Sequence, residues 1–250
     1  MNDNKIKTLI SDYVIHIKKV LNYSVNTVSS YERDLNSFVI FCEKIKIQDI
    51  SSVDEKVLRD FISHLHRNNI GPKSIKRYLS SLRGFLNFLF KKNIVKKNFA
   101  DGIRSPKVSK NLPEILQHSD IDLLANSNTK KESFYKNKDL LIRDTAIFEL
   151  FYSSGLRLSE LADIKYSDIN FNESILRITG KGNKTRMVPI GKKAVSAIKL
   201  WEDVKNKYKK ANIDFLFIGL NGNKMSPRNI QLRMNTLAKA SGLEQKLYPH

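Results

Sequence analysis

The sequence predicts a mainly α-helical protein with a small β-hairpin, in which a four-helix bundle is followed by an α+β domain. Three observations support this fold class. Apolar residues recur at helical spacing through the first hundred positions, two short later segments alternate apolar and polar residues, and a stretch with Gly, Pro and several basic residues separates the halves. The predicted organisation is a helical domain over residues 1–104, a basic linker over 105–113 and a mixed domain over 114–250.

The helical domain contains four amphipathic stretches with recognisable ends. Asp54 can cap the third helix through its side chain, and Asn68, Asn69 and Gly71 fit the end of that helix. Pro72 and Ser74 then suit the start of the fourth helix. The apolar stripes run over residues 6–21, 28–45, 57–65 and 75–89. Four helices joined by short turns are expected to form a compact bundle.

The mixed domain is expected to combine helices with one hairpin. Residues 174–179 and 185–190 alternate like strands, and the Gly-Lys-Gly-Asn segment from Gly180 to Asn183 can form the tight turn between them. Ser226 and Pro227 suit the start of the last helix. The helices are expected over residues 117–126, 138–154, 192–208 and 226–240.

The net charge indicates a polyanionic partner. The chain carries 44 Lys and Arg against 25 Asp and Glu, which gives +19. Residues 1–104 hold 19 of the basic and 10 of the acidic residues, so the excess is shared by both halves and is not a basic tail. Cations placed against phosphates release condensed counterions, so nucleic acid is the favoured partner. The alternative partners are the ribosome and an anionic membrane surface.

Nine basic residues are candidates for contact with nucleic-acid phosphates. Four belong to the fourth predicted helix, two to the linker and three to the mixed domain. A solvated charged face is the alternative reading for each of them. The candidates are Lys73, Lys76, Arg77, Arg83, Lys107, Lys110, Lys184, Arg186 and Arg228.

Cysteine usage and apolar runs indicate the compartment. A single cysteine, Cys42, excludes an intramolecular disulfide, and its apolar neighbours favour a buried structural thiol. The first residues lack the apolar segment of a signal peptide, and no apolar stretch approaches the roughly 20 residues that span a bilayer. We therefore expect a cytoplasmic protein without a membrane partner.

Two short motifs place cationic side chains on rigid structure. Gly155 fits a left-handed helix end, Ser159 is a plausible N-cap of the next helix, and Glu160 then lies in its first turn. This would fix Arg157 between two helices, while Lys181 would lie at the hairpin tip, flanked by glycines. Taken singly, a surface arginine and a flexible turn lysine are the simpler interpretations.

Together, the two motifs resemble the catalytic domain of tyrosine recombinases, the phage integrase superfamily. The paired segments are Gly-Leu-Arg-x-Ser-Glu-Leu at 155–161 and Gly-Lys-Gly-Asn-Lys-Thr-Arg-x-Val-Pro-Ile at 180–190, and they look most like the XerC/XerD branch. The resemblance covers the whole chain. It implies an N-terminal SAM-like, DNA-binding core-binding domain of four helices, a basic linker, a Leu112-Pro113 entry and then the catalytic domain.

The resemblance implies roles for four residues. Arg157 matches the first catalytic arginine, which holds the scissile phosphate, and Lys181 matches the hairpin lysine, which protonates the departing 5′ oxygen. Glu160 matches an acidic residue with a supporting role. Tyr248-Pro249-His250 matches the start of the His-x-x-Arg motif, so His250 would be the histidine of the active site.

The same resemblance implies the reaction and the partners. Recombinases of this type cut and rejoin DNA through a 3′-phosphotyrosine and need no metal or other cofactor; in the Xer branch the task is resolution of chromosome dimers. The implied partners are double-stranded DNA at a recombination site, a second tyrosine recombinase in a tetramer of full-length chains, and a DNA translocase at the septum. The location would be the nucleoid.

The position of the last residue matters for activity. His250 ends the sequence, whereas the family's second arginine would follow three positions later and the nucleophilic tyrosine further on. We therefore expect this polypeptide to bind DNA without cleaving it. The alternatives are a shortened, non-catalytic relative that occupies or regulates recombination sites, and a phage or transposon integrase.

Overall fold

The computed structural model describes residues 5–108, 117–126, 128–180, 184–210, 213–243 and 247. The chain divides into two compact units, Met1–Asn111 and Leu112–His250, each with its own hydrophobic core. The domain limits predicted above, at residues 104, 113 and 114, stay a prediction. The fold class is confirmed, because the described residues are mainly helical with one small sheet.

The first unit contains four long helices. The side-chain carboxylate of Asp54 accepts a hydrogen bond from the Val57 amide at 2.9 Å, so the predicted cap of the third helix is confirmed. The third helix ends at Arg67 with Asn68 as its C-cap, whereas Gly71 is the N-cap of the fourth helix and Pro72 is its first residue, so the prediction for Gly71 was wrong. The helices are α1 (Lys5–Lys19), α2 (Val25–Lys44), α3 (Glu55–Arg67) and α4 (Pro72–Lys91).

Aromatic and aliphatic side chains from all four helices form the core of this unit. The rings of Phe38 and Phe61 meet edge to face with centroids 5.2 Å apart, which is a favourable geometry for aromatic pairs. Cys42 is buried as predicted, and burial raises the pKa of its thiol to about 12. A thiol with this pKa stays protonated and unreactive at neutral pH.

The second unit consists of six helices and a three-stranded antiparallel sheet among its described residues. The sheet order is β1-β2-β3, and Leu176 pairs with Val188 in the register of the predicted hairpin. The helices are α5 (His118–Asn126), α6 (Asn128–Phe134), α7 (Lys138–Ser154), α8 (Leu158–Asp163), α9 (Lys192–Lys205) and α10 (Pro227–Ala240). The strands are β1 (Ile169–Asn170), β2 (Ile175–Thr179) and β3 (Thr185–Pro189).

The second unit differs from the prediction at helix α9, strand β1 and helix α6. The helix expected over 192–208 ends at Lys205, because the Lys207 amide bonds to the carbonyl of Val204 and tightens the chain into a turn. Strand β1 and helix α6 were not predicted. Two strand residues are too few to show alternation, and α6 has a polar sequence without an apolar stripe.

The core of the second unit surrounds Trp201 of α9, which is completely buried. Its indole N–H donates to the carbonyl of Leu216 at 2.9 Å, so burial leaves no polar atom of the ring unsatisfied. Helix α10 packs against both α7 and α8. Within the described residues, no helix is long and apolar enough to cross a membrane.

Candidate active site

Gly155 turns the chain between α7 and α8. It adopts the left-handed conformation, with φ 57° and ψ 38°, and its amide bonds to the carbonyl of Phe151 at 3.1 Å. A residue with a side chain would be strained here, which explains the glycine. The turn confirms the predicted helix end and brings Arg157 to the start of α8.

The N-cap of α8 is Arg157 and not Ser159, so that part of the prediction was wrong. The helix begins at Leu158, because the Glu160 carboxylate accepts the backbone N–H of Arg157 at 2.8 Å. A carboxylate three residues after the cap satisfies one of the free amides of the first turn and lies favourably at the positive end of the helix. The predicted first-turn position of Glu160 is confirmed.

The Glu160 carboxylate is buried and accepts four hydrogen bonds. Its Oε1 accepts from Nη1 of Arg157 at 3.0 Å and from Nη1 of Arg186 at 2.8 Å. Its Oε2 accepts from the Arg157 amide at 2.8 Å and from Nη2 of Arg186 at 2.9 Å. A carboxylate offers about four acceptor positions, so all of them are occupied.

These contacts set the charge of Glu160. The hydrogen bonds from the Arg186 guanidinium, helped by those from Arg157, outweigh burial and lower the pKa of Glu160 to about 2. The group is therefore ionised at neutral pH. With no free acceptor position it is poorly suited to take a proton from a reactant, which fits a supporting role.

The Arg157 side chain is largely open to solvent. It is 72% exposed, whereas Glu160 is 5% exposed. An arginine carries five N–H donors, and within the described part of the chain only Nη1 of Arg157 has a partner. The remaining donors can therefore bind a ligand that approaches from solvent.

The base of the hairpin lies beside the same carboxylate. A Cβ atom on Gly180 would lie 3.5 Å from Oε1 of Glu160 and 3.6 Å from Nη1 of Arg186. The Gly180 amide bonds to the carbonyl of Lys184 at 2.8 Å, which closes the end of the β2–β3 ladder. Lys181 is the next residue in the sequence, but it lies outside the described residues.

Two of the nine candidate phosphate contacts hold the first unit together. Arg77 of α4 pairs with the buried Asp34 of α2 at 2.7 Å and bonds to the carbonyl of Ser30. Arg83 donates from Nε to the carbonyl of Ala100 at 3.2 Å and from Nη2 to that of Ile103. Nη1 of Arg77 and all three guanidinium nitrogens of Arg83 are thus engaged within the fold, and contact of either residue with phosphate stays a prediction.

The other candidates differ in exposure. Arg186 is bound to Glu160 but keeps 42% of its side chain exposed. Lys110 lies outside the described residues. The exposed candidates are Lys73, Lys76, Lys107, Lys184 and Arg228.

A buried charged network joins α7 to α10 and was missed by the sequence reasoning. Asp144 is completely buried; its Oδ1 accepts from Nε of Arg143 at 3.0 Å, and its Oδ2 accepts from Nε of Arg233 at 2.7 Å. The Tyr135 hydroxyl also donates to Oδ2 at 2.9 Å. The adjacent Arg143 and Asp144 within the apolar run of α7 were the available signal, since buried charges need partners.

Helix α10 also holds the segment that leads to His250. The Asn235 side-chain oxygen accepts the backbone N–H of Leu247 at 2.9 Å, and both Leu243 and Leu247 are buried in the core. His250, which follows three residues later, lies outside the described residues. Its predicted role is therefore not tested by the geometry.

Family models match both units. The model "Phage integrase family" matches residues 114–250, and the model "Phage integrase, N-terminal SAM-like domain" matches residues 10–93. The first match alone covers more than half of the chain.

Curated relatives match nearly the full chain. Tyrosine recombinase XerC of Alcanivorax borkumensis is 34% identical over 248 residues, covering 99% of this chain and 78% of the relative. Tyrosine recombinase XerC of Pseudomonas fluorescens is 34% identical over 238 residues, covering 95% of this chain and 77% of the relative.

Solved structures share the fold. The XerH site-specific recombinase bound to palindromic difH substrate gives a TM-score of 0.70 at 18% identity, covering 95% of this chain and 70% of that one. The Tn1549 transposon integrase in complex with transposon right end DNA gives 0.71 at 17% identity, covering 98% and 81%. At this identity the similarity concerns the fold alone.

Proposed function

The chain belongs to the phage integrase family as a tyrosine recombinase of the XerC type, and from this premise we propose that its Arg157 site binds the scissile phosphate of a specific duplex. The observation that carries the proposal is the Arg157–Glu160–Arg186 cluster. It presents an exposed guanidinium with free donors, held at a helix start by a buried carboxylate. The match of Arg157 to the first catalytic arginine of the family motif supports the proposal.

In this reaction Arg157 acts on the phosphate. Its guanidinium donates charge-assisted hydrogen bonds to the non-bridging oxygens and stabilises the negative charge that accumulates when an oxygen nucleophile attacks phosphorus. Because Arg157 is fixed between α7 and α8, little reorganisation is needed as the charge develops. Glu160 orients the arginine and takes no proton.

Lys181 and His250 complete the proposed proton transfers. As the bond between phosphorus and the 5′ oxygen breaks, Lys181 gives a proton to that oxygen as general acid, and His250 assists proton transfer at the nucleophile. A lysine with an ordinary pKa near 10.4 is a weak acid at neutral pH, so neighbouring cations would need to lower its pKa. The position of Gly180 beside the Glu160–Arg186 pair supports a place for Lys181 at this site.

The exposed basic residues are proposed to track the DNA backbone. Lys73 and Arg228 lie in the first turns of α4 and α10, where no acidic side chain is present. Cations at a helix N-terminus are unfavourable unless an anion approaches, and a phosphate meets the free amides and the cation together. Lys76, Lys107 and Lys184 would add further phosphate contacts, and so would Lys110, which lies outside the described residues.

The biological task we propose is chromosome dimer resolution in the nucleoid of the cytoplasm. It would involve a second tyrosine recombinase in a tetramer and a DNA translocase at the septum. The support is the 34% identity to XerC proteins over nearly the whole chain. Solved relatives captured on DNA, among them a lambda integrase dimer bound to a COC′ core site, share its fold.

The phosphate role of Arg157 is tested by Arg157→Ala. Loss of a hydrogen bond to a charged group should weaken binding of a fluorescein-labelled duplex about tenfold, measured by anisotropy. Thermal stability should change little, because the side chain is largely exposed.

Arg177→Ala is the matched control for this experiment. Arg177 is also an exposed arginine paired with one carboxylate, Asp168, at 2.9 Å, but lies outside the cluster. Its replacement removes the same charge and should leave affinity nearly unchanged. Equal losses from both variants would mean that only net charge matters and would contradict a phosphate site at Arg157.

A further inference from the structure

The Glu160 carboxylate poses an electrostatic problem for a phosphate site. It lies 3.0 Å from the guanidinium of Arg157, close enough to cancel much of the charge that would attract a phosphate. A carboxylate beside the phosphate site also repels the phosphate itself. Glu160 on its own would therefore anchor Arg157 while weakening the interaction that Arg157 is proposed to make.

Arg186 reduces this effect because its guanidinium interacts with the carboxylate more strongly than that of Arg157 does. It meets both oxygens in a bidentate arrangement at 2.8 and 2.9 Å, whereas the Arg157 guanidinium donates a single bond to one oxygen. Bidentate pairs between arginine and carboxylate are the strongest form of this interaction. In agreement, the bonds from Arg186 are the largest cause of the lowered Glu160 pKa.

The charges of the cluster add up in favour of a bound anion. Two guanidinium groups and one carboxylate leave a net charge of +1 around Arg157. Without Arg186 the remaining pair would be neutral, and Glu160 would draw further donors from Arg157. The number of free Arg157 donors thus depends on Arg186.

We propose that Arg186 is a positioning residue that occupies Glu160 and thereby leaves the Arg157 guanidinium free to bind phosphate. This inference rests on the proposed function and replaces direct phosphate contact as the main role of Arg186. The residue lies in β3 opposite Ile178 of β2, so the same pair also fixes the hairpin to α8. A Cβ atom on Gly180 would lie 3.6 Å from Nη1 of Arg186, so the residue that follows β2 lies close to this pair.

The experiment measures duplex affinity and its salt dependence for Arg186→Met, Arg157→Ala and the double variant. If Arg186 acts through Arg157, Arg186→Met should weaken binding about tenfold. The plot of log affinity against log salt should also become less steep, by the amount that about one phosphate contact contributes. The double variant should be no weaker than Arg157→Ala alone. Arg186→Lys, which keeps the charge but loses the bidentate geometry, should give an intermediate loss.

Rescue by Glu160→Gln separates a positioning role from the other roles. In the Arg186→Met background a neutral amide no longer captures Arg157, so Glu160→Gln should restore most of the lost affinity. If Arg186 contacts phosphate directly, the Arg157→Ala and Arg186→Met losses will add and no rescue will occur. If Arg186 only holds the hairpin, thermal stability will fall in both Arg186 variants and Glu160→Gln will not restore affinity.

The outcomes also separate this inference from the proposed function. Unchanged binding in Arg157→Ala would overturn the phosphate site itself, whatever the Arg186 variants do. A clear loss in Arg157→Ala without a loss in Arg186→Met would overturn only the role of Arg186.

Discussion

Single carboxylates in this protein show how local partners decide the sign of a pKa shift. Glu160 and Asp34 are both buried acids paired with arginine. Glu160 has all four acceptor positions occupied and a pKa lowered to about 2. Asp34 has no hydrogen-bond partner for Oδ2 among the described residues, and burial raises its pKa to about 6 despite the nearby Arg77 and Arg33.

The raised pKa of Asp34 predicts a specific pH dependence of stability. The folded protein holds this proton more tightly than the unfolded chain, whose pKa is near 3.8. The contribution of Asp34 to the unfolding free energy should therefore fall as pH rises from about 4 to about 6. Replacing it by Asn removes the charge and with it this dependence.

Urea unfolding of Asp34→Asn and the native protein at pH 4 and pH 7 checks this expectation. From pH 4 to pH 7, the unfolding free energy of the variant should rise by about 1–3 kcal/mol relative to that of the native protein. Asp54→Asn, which changes an exposed helix cap that Asn can also provide, is the control and should show no such gain. A constant difference between Asp34→Asn and native protein at both pH values would contradict the raised pKa.

At the residue scale, local motifs were predictable and distant partners were not. The helix end at Gly155 and the first-turn position of Glu160 could be predicted because both depend on neighbours within a few positions. The bond from Arg186 to Glu160 spans 26 positions, and that from Arg233 to Asp144 spans 89. No sequence spacing reports such pairs, so Arg186 was assigned to DNA, and the Ser159 cap was wrong because the competing Glu160 bond was not considered.

At the scale of elements, length and apolar pattern decided what could be predicted. Helix α7 was predicted with its observed ends, because an apolar run stops at Gly155. The β2–β3 hairpin followed from alternation on either side of glycines. Elements without a pattern, such as the seven-residue polar α6 and the two-residue β1, exist because tertiary packing selects them.

Helix α10 contacts elements for which no sequence pattern predicts a contact. Arg233 binds the buried Asp144 of α7, and Asn235 binds the backbone of Leu247. The same helix therefore contacts the element that ends before Arg157 and the segment that precedes His250.

For the whole molecule, charge and family agree on the partner. Both halves carry an excess of basic residues, and family models match both units. The two motifs, around Arg157 and in the β2–β3 hairpin, are each weak evidence of function, but both belong to the pattern of one family and so indicate a recombinase when they occur together. The DNA sequence that the protein recognises, by contrast, depends on side chains that contact base edges. Neither the net charge nor the spacing of the motifs identifies these side chains.

The measurement that tests the central claim most directly is the salt dependence of duplex binding by this chain. If exposed cations on both units bind the phosphate backbone, affinity should fall by about a thousandfold or more between about 50 and 200 mM salt. Arg157→Ala should show a slope that is shallower by about one phosphate contact, and Arg177→Ala a nearly native slope. Affinity that stays nearly constant over this range, or an Arg157→Ala slope equal to the native one, would contradict the proposed function.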